Sequence, residues 1–135
     1  MKLEGIHIHP SAYSFNFWDG CKNNVFRMQQ CNDCKKLQFY PRVICSHCWS
    51  KNISWVEIDR VGEIYSHTTV HRAPSAEFKH LVPYTIVYVK YPGNVFFVGY
   101  LLNDTSNGEV RIGARVEMCF ERINSEVSLP VFKII

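Results

Sequence analysis

The sequence predicts a mainly β protein: a small cysteine-held ribbon followed by a Greek-key barrel, with an aromatic, partly helical arm in front. Two observations predict it. Cys31-x-x-Cys34 and Cys45-x-x-Cys48 face each other across a ten-residue connector, and from Ile53 onward the chain is a succession of strand-length runs of β-branched and aromatic residues broken by turn signals. The expected divisions are an arm over 1–24, a ribbon over 25–52 and a barrel over 53–135.

The arm holds Tyr13, Phe15, Phe17 and Trp18 among Ser, Asn and Gly20, so its rings must be buried against the chain's own core or against a partner. The ribbon is entered by the strand-like run from Val25 to Gln30. Two residues between cysteines allow both thiolates to turn toward one point, and two such turns supply the four sulfurs of a tetrahedral Zn²⁺ site. Cys31, Cys34, Cys45 and Cys48 are the expected ligands, with Leu37-Gln38-Phe39-Tyr40 leading up one strand between the pairs. Two disulfides, a redox dithiol and an iron–sulfur centre compete, but the symmetric pairs and the lack of any secretory pattern favour zinc. A closed four-thiolate site has no open position, so the metal is structural. His47, between two ligands, is expected to point to solvent.

Trp55–Ile58 and Gly62–His71 are the expected first strands of the barrel. Tyr84–Tyr91 and Val95–Leu102 follow, joined by the turn Pro92-Gly93-Asn94. In Arg115–Arg122, Val116, Met118 and Phe120 alternate inward with Arg115, Glu117 and Glu121 outward, and Val131–Ile135 is the last strand. Five or six strands in so short a span, with Gly62 and Gly99 inside strand patterns where a small barrel bends, indicate an OB-type barrel. The long piece from Ala73 to Pro83 is expected to be a functional loop.

Hydrophobic residues make up 47% of the chain and aromatics 14%, enough for a modest core. The longest apolar run, Val95–Leu102, is strand-sized, so no membrane span is expected, and without a signal-peptide pattern the reading is cytoplasmic. Cys21 and Cys119 stand alone as reduced thiols. The formal charge of +3 falls to +1 once four thiolates and one Zn²⁺ are counted. Lys35, Lys36, Arg42 and Lys51 then offset the charge of the metal site.

No Gly-x-Ser-x-Gly elbow, His-Glu-x-x-His helix or phosphate-cradling glycine loop occurs, so no catalytic residue is assigned. His67 and His71 at i and i+4 on a strand lie about 13 Å apart, too far to share a metal. Cys119 is read as strand packing. Arg72 and Lys79 bracket the long loop around Phe78, and cations beside an aromatic suit a nucleotide's phosphate and base, in nucleic acid or in coenzyme A.

The ordered features resemble a family of rubredoxin-like zinc-ribbon and OB-fold proteins associated with acyl-CoA, formerly a domain of unknown function. The resemblance rests on Phe17-Trp18, Gln30-Cys31-x-x-Cys34, Phe39-x-Pro41-Arg42-x-x-Cys45-x-x-Cys48, Trp55, Gly62-x-Ile64-Tyr65-Ser66-x-Thr68-x-Val70-His71, Pro83-Tyr84, Gly113 and Val116. It implies a non-catalytic accessory subunit in a hetero-oligomer with a thiolase-like acyltransferase or aldolase, helping to enclose that enzyme's acyl-CoA substrate, with roles in lipid metabolism. Expected acyl-CoA contacts are Arg72, Phe78, Lys79 and His80, the cations meeting phosphates. Expected partner contacts are Phe17, Trp18, Phe39, Tyr40 and Trp49. The family often has Gly after each Cys-x-x-Cys where this chain has Lys35 and Trp49, so a different turn is expected there.

The rival is a single-stranded nucleic-acid module, which OB barrels and ribbons also form. From Ile53 on, eight Lys and Arg face nine acidic residues, too little positive charge for it, so nucleic acid is not the expected partner.

Overall fold

A computed structural model describes residues 3, 6, 8–102 and 109–135; residues 1, 2, 4, 5 and 7 of the expected arm and 103–108 of the expected barrel lie outside the described residues. Helix α1 (Phe15–Lys22) lies in the arm. Ribbon strands β1 (Arg27–Cys31) and β2 (Leu37–Gln38) pair antiparallel, Gln29 opposite Gln38. Strand β3 (Ile53–Glu57) pairs with β1 along its whole length, from Arg27–Glu57 to Cys31–Ile53. This corrects the expectation that Trp55–Ile58 opens the barrel: β3 completes a three-stranded ribbon sheet in the order β2-β1-β3.

The barrel comprises β4 (Val61–Val70), β5 (Tyr84–Tyr91), β6 (Val95–Leu101), β7 (Arg115–Arg122) and β8 (Ser128–Ile134). It closes in the order β4-β5-β6-β8-β7, with β6 and β8 parallel and the other pairs antiparallel. A meander followed by a parallel return is the five-stranded Greek-key OB topology. Pro92, Gly93 and Asn94 connect β5 to β6, with Gly93 at φ +90° and Asn94 at +58°. Gly62 and Gly99 meet close approach: a Cβ on Gly62 would lie 2.5 Å from Val89, and one on Gly99 would lie 2.5 Å from the Phe132 ring.

One buried cluster unites all three parts. Phe17 and Cys21 of α1 and Phe26 and Met28 of the ribbon pack with Val87, Val89, Phe97, Val116, Met118 and Phe132 of the barrel. Arm and ribbon are therefore sealed onto the barrel by burial of apolar surface. A second cluster, Leu3, Ile123, Val127 and Val131, lies beneath Ile6, Ile8, Trp18 and Cys119, so Cys119 does pack as the strand pattern predicts. No helix among the described residues is long and apolar enough to cross a membrane.

Candidate functional site

The sulfurs of Cys31, Cys34, Cys45 and Cys48 all lie within 4.8 Å of one another. Cys31 and Cys48 approach to 3.5 Å, and Cys34 and Cys45 to 3.6 Å. Zinc–sulfur bonds of about 2.3 Å in a tetrahedron separate sulfurs by about 3.8 Å, so the donor set fits one Zn²⁺.

The two knuckles are built alike. Cys31 N–H donates to Lys36 C=O and Lys35 N–H to Cys31 C=O; Cys45 N–H donates to Ser50 C=O and Trp49 N–H to Cys45 C=O. Lys35 and Trp49 both stand at φ +65°. The different turn expected from their lack of glycine is thus not found, because the paired hydrogen bonds hold each residue's backbone in the left-handed region.

Backbone donors prepare the thiolates. The Cys45 thiol is drawn down to about 6, first by the Cys48 N–H, with burial opposing and the His47 N–H assisting. Cys31 is lowered similarly, first by the Cys34 N–H. Cys48 accepts a lowering Ser50 N–H yet is pushed up to about 12 by Cys31, burial, Cys34 and Cys45. Four crowded sulfurs cannot all ionise by themselves, and a dication removes that repulsion. Among the described residues this is the single group of three or more His, Cys, Asp or Glu placed to hold a metal, and His47 is exposed outside it.

Between the knuckles, two buried glutamines clamp the connector. Gln29 and Gln38 are 4% and 5% exposed. Gln38 Nε2 donates to Gln29 Oε1 at 2.7 Å and to Ile44 C=O at 3.3 Å. Gln29 Oε1 also accepts from Arg42 N–H at 2.8 Å, Gln29 Nε2 donates to Arg42 C=O at 2.9 Å, and Ser46 N–H donates to Gln38 Oε1 at 2.8 Å. Sequence reasoning missed this network, since glutamines in strands ordinarily face water. The available signal was their position on two strands that must pair beside the cysteines.

The clamp presents Phe39, Tyr40 and Pro41 to a cavity of about 470 Å³ between α1, the connector and the outer face of β5 and β6. Its wall is apolar, with Phe17, Trp18, Tyr84, Ile86, Val98 and Tyr100 prominent. Of the expected acyl-CoA contacts, Phe78 lines this cavity, on the short 3-10 turn Ala76–Phe78, 6.0 Å from the Tyr84 ring. Arg72, Lys79 and His80 are exposed and do not line it.

Of the expected partner contacts, Tyr40 and Trp49 are 58% and 78% exposed, while Trp18 and Phe39 are half-buried. Phe17 must be corrected. It is 3% exposed, with the rings of Trp18, Phe26, Phe39 and Phe97 within 6.5 Å, so it serves the chain's own core. His67 and His71 are exposed and, among the described residues, belong to no group placed to hold a metal.

Fold and site together define a four-cysteine zinc ribbon joined to an OB-fold barrel. The chain belongs to the ChsH2 family: residues 18–54 match the ChsH2 rubredoxin-like zinc ribbon domain and residues 55–121 the ChsH2 C-terminal OB-fold domain. Among solved structures it is similar to a chain of an "Ltp2-ChsH2(DUF35) aldolase", with 25% identity and a TM-score of 0.80 over 95% of this chain and 98% of that one. A protein of unknown function from the DUF35 family of Sulfolobus solfataricus shares the fold, at 21% identity and TM-score 0.62, over 93% of this chain and 87% of that one.

Proposed function

We propose that the chain is a non-catalytic accessory subunit that docks on a thiolase-like acyltransferase or aldolase and helps enclose its acyl-CoA substrate, with a structural Zn²⁺ holding the ribbon. The observation that carries this reading is the end-to-end likeness to a chain of an aldolase assembly, 95% of one chain on 98% of the other. The site chemistry supports it. Neither lone thiol is poised as a nucleophile: burial pushes Cys21 up to about 12 and raises Cys119 as well. The apolar cavity suits the hydrocarbon part of an acyl-CoA, with Phe78 at its wall and Arg72, Lys79 and His80 on the same loop as polar contacts.

Docking falls to the exposed rings Tyr40 and Trp49, flanked by the exposed edges of Trp18 and Phe39, since aromatic anchors dominate interface energetics. Co-expression with a thiolase-like enzyme from the same source, followed by light scattering on the purified material, tests this. A stable hetero-oligomer is expected, weakened more than about tenfold by Tyr40→Ala or Trp49→Ala and little by Lys51→Ala. A chain that remains a free monomer beside that enzyme overturns the reading.

A further inference from the structure

The apolar cavity does not end at the connector. A second cleft, of about 370 Å³, lies between the ribbon connector and β6 and shares Phe39, Tyr40 and Val98 with the cavity. The two spaces differ in chemistry. Among the described residues no charged side chain lines the cavity, whereas Arg42 lines the cleft beside His47, with no described carboxylate among its lining residues. On the barrel side the cleft is lined by Tyr88 and Phe96, whose rings stack 4.8 Å apart at 10°, with Tyr65 edge-on to both.

Arg42 is held in place from beneath, because the buried Gln29 carboxamide binds both its N–H and its C=O. Its guanidinium joins neither of the ion pairs found among the described residues, Arg27–Asp19 and Lys133–Glu117. A ligand filling both spaces must be apolar at one end and carry a planar aromatic group with negative charge at the other.

Resting on the acyl-CoA reading above, we infer that the cleft takes the nucleotide end of the acyl-CoA. The adenine lies against the Tyr88–Phe96 step and a phosphate meets Arg42, while the pantetheine arm passes Tyr40 and Val98 into the cavity. Stacked rings offer a purine a flat surface already ordered by their own contact, and a planar guanidinium binds phosphate oxygens in bidentate fashion. Arg72 and Lys79 line neither space, so the phosphate contacts move from them to Arg42.

The test is an amide-resolved NMR titration of the zinc-loaded full chain with adenosine 3′,5′-bisphosphate, which lacks the pantetheine arm, then with octanoyl-CoA, then with a short single-stranded oligothymidylate. The bisphosphate is expected to shift Arg42, His47, Tyr88 and Phe96 and to leave Trp18 and Phe78 in place; octanoyl-CoA shifts both groups. Arg42→Gln and Tyr88→Ala each weaken bisphosphate binding by about tenfold. Arg42→Gln leaves thermal unfolding unchanged because its side chain faces solvent, whereas Tyr88→Ala also loses its stack on Phe96 and is therefore read at a temperature where the variant is still folded. Shifts centred on Arg72 and Lys79 overturn the inference. So do octanoyl-CoA shifts confined to the cavity, an outcome that leaves the acyl-CoA reading standing. Tighter binding of the oligonucleotide replaces the inference with a nucleic-acid platform. Silence toward all three probes also overturns it, and the hetero-oligomer measurement then decides the docking reading independently.

Discussion

Replacing Gln29 with leucine removes the hub of the connector clamp, and the cost follows from which atoms lose partners. Gln38 Nε2 keeps only its 3.3 Å contact with Ile44 C=O, while Arg42 N–H and C=O are released at an exposed residue where water replaces the carboxamide. A buried amide left short of partners costs about 1–3 kcal/mol, and the hydrated backbone groups add little. Gln38→Leu should be milder, about 1 kcal/mol, because Gln29 keeps both bonds to Arg42 and Ser46 N–H turns to water. In the double variant no amide is stranded, so its cost falls below the sum of the singles by about 1 kcal/mol. Urea unfolding of the zinc-saturated chain at fixed free zinc measures all three, with m-values compared to confirm one transition. Equal single costs with an additive double would refute the hub assignment.

Metal removal should destabilise the whole chain rather than the ribbon alone, because Phe26 and Met28 share one buried cluster with the barrel. Elemental analysis should find one zinc per chain, and a strong chelator or Cys45→Ser should lower the thermal midpoint of barrel signals as well. Phe17→Ala should cost about 3–5 kcal/mol and Phe15→Ala, two residues away on the exposed face of α1, less than about 0.5 kcal/mol, as read by urea midpoints. Cys21 is held protonated in the fold, its thiol raised from 9.0 to about 12 by burial. The sign follows: its contribution is complete below about pH 9 and is lost as pH rises toward about 12, so unfolding free energy should decline over that window. Cys21→Val should flatten that alkaline limb, checked by urea midpoints at stepped pH.

What could be read along the chain was whatever neighbours in sequence dictate. The Cys-x-x-Cys spacing aims two thiolates at one point regardless of context, the Pro92-Gly93-Asn94 turn joins adjacent strands, and the alternation of Val116 and Met118 with charged neighbours sorts one strand's two faces. Lys35 and Trp49 show the limit even there, since hydrogen bonds repeated in both knuckles impose a left-handed backbone that the residues themselves disfavour. The assignment of β3 to the ribbon, the burial of Phe17, the Gln29–Gln38 clamp and the placing of Arg42 and Tyr88 along one cleft all depend on which distant segments meet. A strand's alternation is equally compatible with either sheet, and an aromatic ring with either core or surface. Pairing register and the burial of one shared apolar cluster resolved those choices, because both are properties of segments far apart in sequence and close only after folding.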